Sequence, residues 1–206
     1  MCGIVGYIGT QLATEILLSG LEKLEYRGYD SAGVATVCDG QIQSVRAKGK
    51  LYNLREKLVG VEMSANIGIG HTRWATHGKP EEYNAHPHRD DTERVAVVQN
   101  GIVENYRELR KELEAQGHKF VSDTDTEVIP HLIAEFLSNF AGNQKGETGR
   151  RENFLQAVRQ TVNKLDGAFA IAVICADYPN EIIVARQQAP ISLSLIHISE
   201  PTRPST

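Results

Sequence analysis

A cysteine follows the initiator methionine, and a glycine follows the cysteine. Aminopeptidase removal of Met1, normal before a small residue, would give Cys2 a free α-amine beside its thiol. An α-amine titrates near ~7.7–8.0 and a thiol near ~8.5. One residue could therefore supply both a nucleophile and the base that takes its proton. Taken alone, the dipeptide fits a buried thiol of no chemical consequence better. The other cysteines, Cys38 and Cys175, lie far off in sequence. Three widely spaced thiols suggest neither a disulfide framework nor a zinc ribbon, and Cys38 and Cys175 read as structural. His86-Pro87-His88 could hint at a metal, but no further spacing completes a tetrahedral set, so no metal is expected. Asn100-Gly101, taken by itself, is a turn signal.

These residues need elements to position them. Residues 3–8 (GIVGYI) are short, apolar and glycine-punctuated, as a buried strand is. Leu12, Ile16, Leu17, Leu21 and Leu24 recur at helical steps. Asp39-Gly40 separates two strand-like runs, 33–37 and 41–46, as a two-residue hairpin loop does. Strands are expected at 65–71 and 94–99, the second running into a tight turn at Asn100-Gly101. Helical spacing returns at 103–116, closed by Gly117, and at about 125–140, where Thr124 and Glu127 have capping-box spacing and Pro130 falls early in the helix. The polar stretch 142–152 (GNQKGETGRRE) reads as a surface loop. A last helix carries Phe154, Leu155, Val158, Val162 and Leu165 and ends at Gly167, before strands at 168–175 and 182–185.

The 206 residues suit one domain with one compact core. At 41% hydrophobic and 23% charged, the composition is that of an ordinary globular chain. A net charge of -4 with dispersed Lys and Arg argues against a nucleic-acid partner. No apolar run reaches the ~18–20 residues needed to cross a bilayer, and the N-terminus lacks a secretory layout, so a cytoplasmic setting without a membrane partner is expected.

The segments MCGIVGYIG, LEYRGYDSAG, HTRWATHG, NAHPH, QNGIVENY and TDTEV occur in this order, within a resemblance that covers nearly the whole chain. They resemble the glutaminase domains of amidotransferases with an N-terminal nucleophile. HTRWATHG followed by NAHPH is more similar to the glutamine–fructose-6-phosphate aminotransferases, which make glucosamine 6-phosphate, than to relatives in purine or asparagine synthesis. The resemblance implies an α+β fold, a four-layer αββα sandwich with Cys2 at the end of a central strand. It implies hydrolysis of L-glutamine to glutamate and ammonia through a Cys2 thioester, with no cofactor.

By the same resemblance, Arg73 holds the α-carboxylate of glutamine, a task suited to a planar guanidinium, and Asp125 holds its ammonium. Thr76 and His77 line the glutamine site, and His86 shapes the pocket. The Asn100 amide and Gly101 N–H form an oxyanion hole. Trp74, the sole tryptophan and otherwise a core candidate, belongs to a mobile shielding loop. Arg27 and Asp30 support the nucleophile's surroundings without assigned roles.

Full-length members continue into isomerase domains that bind fructose 6-phosphate and are expected to be homo-oligomers; no such domains are encoded here. The resemblance fades after about Ile191. The expectation is a glutamine amidotransferase domain over 2–191, short of its last strands, with a non-native tail at 192–206 (SLSLIHISEPTRPST). Two other readings stay open: an amidotransferase that delivers ammonia to phosphoribosyl pyrophosphate, and a non-catalytic glutamine-binding or regulatory domain.

Overall fold

The computed structural model describes residues 2–140 and 147–190. In chain order the elements are β1 (Gly3–Ile8), α1 (Ala13–Glu22), β2 (Ser31–Cys38), β3 (Gln41–Lys48), α2 (Leu51–Leu58), β4 (Ile67–Arg73), β5 (His88–Arg89), β6 (Val95–Val103), α3 (Tyr106–Ala115), α4 (Val128–Phe140), α5 (Glu147–Lys164), β7 (Gly167–Cys175) and β8 (Ile183–Gln187). Among the described residues the strands form two antiparallel sheets, ordered β1-β4-β2-β3 and β5-β6-β7-β8.

The period-2 alternation of strand side chains creates the layers. On β6 and β7 the odd positions Val95, Val97, Phe169, Ile171, Val173 and Cys175 join Leu109, Leu113, Ile129, Ile133 and Phe154 from α3, α4 and α5. The even positions Ala96, Val98, Ala172 and Ile174 face the first sheet and meet Ala35, Val37, Ile67 and Ile69. The outer face of that sheet is covered by Leu17, Leu18 and Leu21 of α1 and by Leu51 and Leu54 of α2. Three cores thus separate four layers, helix, sheet, sheet, helix, as the resemblance implies.

Local signals hold where tertiary structure does not compete. Asp39 and Gly40 have φ of 50° and 72°, the paired positive values of a type I′ hairpin. Gly117, at φ 101°, closes α3. Pro130 lies in the first turn of α4, where its missing N–H costs no helical bond.

Four expectations change. Asn100-Gly101 is no tight turn: both lie inside β6, opposite Ala170 and Phe169, because the nine-residue β7 pairs with β6 through Val103. The Thr124–Glu127 capping box does not form. Glu127 instead accepts the Val121 and Ser122 N–H groups, and the Thr124 hydroxyl bonds Ser122 and His88. Helix α5 already begins at Glu147, inside the expected surface loop. Finally, β1 is an edge strand among the described residues, paired only with β4, so Cys2 precedes an edge strand and not a central one. Residues 141–146 of the loop region and the expected tail at 192–206 lie outside the described residues.

Candidate active site

Strand pairing brings Cys2 to the end of β4. Gly3 lies opposite Thr72, which places Cys2 beside Arg73 and Trp74. A side chain at position 3 would meet Leu24 Cδ1 at 2.6 Å and Thr72 Oγ1 at 2.9 Å, so glycine there lets the strand close in. The half-buried Cys2 Sγ accepts the Trp74 N–H at 3.2 Å and lies 3.5 Å from the Trp74 carbonyl. Arg27 Nη1 donates to the Cys2 carbonyl at 3.4 Å. Cys38 and Cys175 are also free thiols. Burial pushes Cys175 up to about 12, as befits an inert core thiol.

Arg73 ends β4 and is 3% exposed. Its Nη2 donates to the carbonyls of His77 and, at 3.3 Å, Gly78; Nη1 donates to Lys79 O at 3.4 Å. Burial lowers the Arg73 pKa, opposed by the negative charge of Asp30 and Asp125. Asp30 has a specific place here. Its Oδ1 lies 3.7 Å from Arg73 Nη1 and its Oδ2 accepts the Ala75 N–H, while Asp30 N–H donates to Arg73 O at 2.7 Å. Asp30 therefore fixes both the cation and the start of the 74–79 loop.

On that loop Trp74 is 54% exposed, its ring resting against Gly28, and Thr76 is exposed. His77 stands edge-on to Tyr106 at 5.3 Å between ring centroids, with its Nδ1 3.6 Å from Asp125 Oδ1. Asp125 is 3% exposed, its Oδ2 accepts the Val103 N–H at 2.8 Å, and burial raises its pKa.

Asn100 arrives from the other sheet. It continues the inward face of Ala96 and Val98, as His71 continues the inward face of Ile67 and Ile69. His71 Nε2 and Asn100 Oδ1 are 2.8 Å apart. Because the oxygen can only accept, Nε2 carries the hydrogen, and the Asn100 NH2 group is left for another partner. Complete burial keeps His71 neutral, its pKa pushed down to about 4. Gly101 has φ 111°, and a Cβ there would lie 2.0 Å from Ala168 O. Only glycine fits.

His86 is buried behind this pair. Its ring stacks on His71 at 4.2 Å. His86 lies two residues before β5, beside Gln99 of β6. There the ring Nδ1 accepts the Gln99 N–H at 3.2 Å, and Nε2 then donates to Thr126 Oγ1 at 3.3 Å, which donates to Gln99 Oε1. His88 extends the row and bonds the Thr124 hydroxyl, which bonds Ser122, whose hydroxyl donates to Glu127. Direct contact, then, links Cys2 to Trp74, Arg73 to the His77 carbonyl, and His77 to Asp125; His71 ties Asn100 to the strand that carries Arg73. Two hollows of about 450 and 590 Å3 flank α1 and α2, and neither is lined by these residues.

Sequence reasoning left Asp30 and Arg27 without roles and gave none to His71. His71 shares the β4 face of Arg73, two residues away, and that period was the signal available.

A family model described as a glutamine amidotransferase domain matches residues 71–195, more than half of the chain. The chain belongs to the glutamine amidotransferase domain family. This amidotransferase domain is 71% identical over 191 residues to a glutamine–fructose-6-phosphate aminotransferase (isomerizing) of Nostoc sp., which takes in 93% of the chain and 30% of that protein. It is 68% identical to the namesake from Thermosynechococcus vestitus, over 93% of the chain and 29% of the relative. The chain thus spans about 30% of the length of the curated relatives it matches. Among solved structures, the glutamine phosphoribosylpyrophosphate amidotransferase of B. subtilis, complexed with ADP and GMP, superimposes with a TM-score of 0.69 at 25% identity, covering 90% of this chain and 37% of that one.

Proposed function

We propose that the chain hydrolyses L-glutamine to glutamate and ammonia, as the ammonia-supplying part of a glutamine–fructose-6-phosphate aminotransferase. The observation that carries this reading is the Cys2 sulfur, pinned by the Trp74 N–H at the end of the strand that presents buried Arg73. A desolvated guanidinium with one carboxylate at 3.7 Å gains from a second anion. The substrate α-carboxylate fills that role by drawing the fork away from the 77–79 carbonyls. Asp125 Oδ1, facing the His77 ring at 3.6 Å, takes the substrate ammonium. Thr76 and His77 border the bound amino acid, and Trp74, exposed and propped on Gly28, covers it.

After loss of Met1, the Cys2 α-amine takes the thiol proton as Sγ attacks the side-chain amide carbon. The carbonyl oxygen becomes an oxyanion, received by the Asn100 NH2 and the Gly101 N–H, each such donor being worth about 2.7–4 kcal/mol. The ammonium returns its proton to the leaving nitrogen, the C–N bond breaks and ammonia departs. Water, deprotonated by the same amine, then cleaves the thioester to glutamate and restores the thiol.

Identity of 71% to the Nostoc aminotransferase, against 25% to the phosphoribosylpyrophosphate enzyme, favours the sugar acceptor. Fructose 6-phosphate would then be bound by domains beyond this chain, in a homo-oligomer in the cytoplasm, with the glutaminase unit at 2–191 and 192–206 foreign to it. The test is ammonia release from glutamine, with mass spectrometry of the N-terminus. Turnover that starts at Cys2 and vanishes in Cys2→Ala supports the reading. Full turnover with Met1 retained overturns it.

A further inference from the structure

Away from Cys2, three segments bring polar side chains to one point: Asp91 from the β5–β6 turn, His118 just after α3, and His131 from the first turn of α4. Asp91 Oδ1 lies 3.3 Å from His118 Nδ1 and 3.6 Å from His131 Nδ1, and one ligand atom from each residue falls within 4.8 Å of the other two. Metal bonds of ~2.0–2.2 Å in a tetrahedral site put neighbouring ligand atoms about 3.4 Å apart. The other Asp91 oxygen is held by the Lys119 N–H at 3.4 Å, which leaves Oδ1 turned towards both rings.

His131 is 0% exposed, and neither of its ring nitrogens has a hydrogen-bond partner. A buried imidazole in that condition calls for an explanation, and an ion is one. The outer surroundings agree. His118 Nε2 faces Glu135 Oε2 at 3.5 Å, and His131 Nε2 faces Glu127 Oε1 at 3.9 Å. Imidazoles that ligate a metal through one nitrogen generally direct the other at a carboxylate or carbonyl, which fixes the tautomer and strengthens the ligand. Side chains of His118 and Asp91 are 15% and 26% exposed, so an ion can enter from solvent and keep water in its fourth position.

We propose that Asp91, His118 and His131 bind one divalent cation of the zinc type, oriented by Glu127 and Glu135 from behind the two rings. The ion has no part in the Cys2 chemistry. It braces the 118–127 segment, because Glu127 also accepts the Val121 and Ser122 N–H groups two residues from Asp125. The competing arrangement is metal-free: two imidazole rings each set between carboxylates.

The test is titration of the chelator-treated chain with Co2+, followed by its visible absorption, with Zn2+ as competitor. It is done in a Cys2→Ser background so that the N-terminal thiol takes up no metal. The expected result is one tetrahedral Co2+ per chain, displaced by one Zn2+, and a thermal midpoint raised by Zn2+. His118→Ala, at a partly exposed position, should abolish uptake and the midpoint rise; Glu135→Gln should weaken binding by about 10–100-fold while leaving the ligands in place. Uptake well below one ion per chain in the parent, or undiminished uptake in both His118→Ala and Glu135→Gln, overturns the proposal in favour of the metal-free arrangement. Neither outcome depends on glutamine turnover.

Discussion

The space between the two sheets is filled in two different ways. At one end Ala35, Val37, Ile67, Ile69, Ala96, Val98, Ala172 and Ile174 interlock as hydrocarbon. At the other end the same strand faces continue as His71, Arg73 and Asn100, backed by His86 and His88. Hydrocarbon contacts tolerate small shifts of one sheet against the other, since burial energy has no direction. The hydrogen bond from His71 to Asn100 does not. The apolar end supplies cohesion, and the polar end converts that cohesion into a fixed position for one amide group.

The largest effect expected is one that strikes both ends. Gly101→Ala would force a Cβ into Ala168 O at a backbone conformation that alanine avoids; soluble folded protein and glutaminase activity should both be lost, as circular dichroism and ammonia release would record. Ile69→Ala separates the ends. It should cost about 2–5 kcal/mol in denaturant unfolding while turnover per folded molecule stays near that of the parent.

Asn100→Ala inverts that pattern. Turnover should fall by about 10²–10³-fold, with about 1–3 kcal/mol of stability lost because the His71 N–H is stranded. Equal losses of turnover in Asn100→Ala and Ile69→Ala, per folded molecule, would erase the distinction drawn here. Mild acid should also act on the polar end alone. His71 and His88 are held neutral with pKa values of about 4 and about 3, against 6.5 in an unfolded chain. The unfolded state therefore binds more protons across that interval, and stability present above about pH 6.5 is lost as pH falls towards 4. At about 1.4 kcal/mol per pH unit, His71 alone surrenders roughly 3 kcal/mol. Thermal midpoints measured from pH 7.5 downwards should decline accordingly, and substituting the histidines should flatten the curve. The smallest effect belongs to the rim of the apolar end, where Arg94 meets Asp177 at 2.6 Å with both side chains at least 36% exposed; Arg94→Ala should shift stability by no more than ~1 kcal/mol.

The two ends also differ in how far they could be read from the sequence. Strands β1 and β7, the Asp39-Gly40 hairpin and the amphipathic α1 follow from composition and period within a few residues. Asn100-Gly101 was misjudged because a local preference for turning yields to nine consecutive pairs with β7. Thr124 and Glu127 have the spacing of a cap, yet the carboxylate finds three donors on the preceding segment. Cys2, Arg73 and Asp125 are candidates named through resemblance to a family. The links from His71 to Asn100 and from Asp30 to Arg73 were not legible, since each joins residues 29 or more positions apart whose meeting depends on how sheets stack and strands align.

Strand β4 carries Ile67, Ile69, His71 and Arg73 on one side and Gly68, Gly70 and Thr72 on the other. A molecule whose β4 slid by a single position against β1 and β2 would turn isoleucines outward and bring glycines inward, and would lose the histidine and arginine from the interior at the same stroke. Such a chain could not persist as a sound but inactive decoy. Any check on folding quality, from proteolysis to aggregation, would therefore screen the population for competence in chemistry as well.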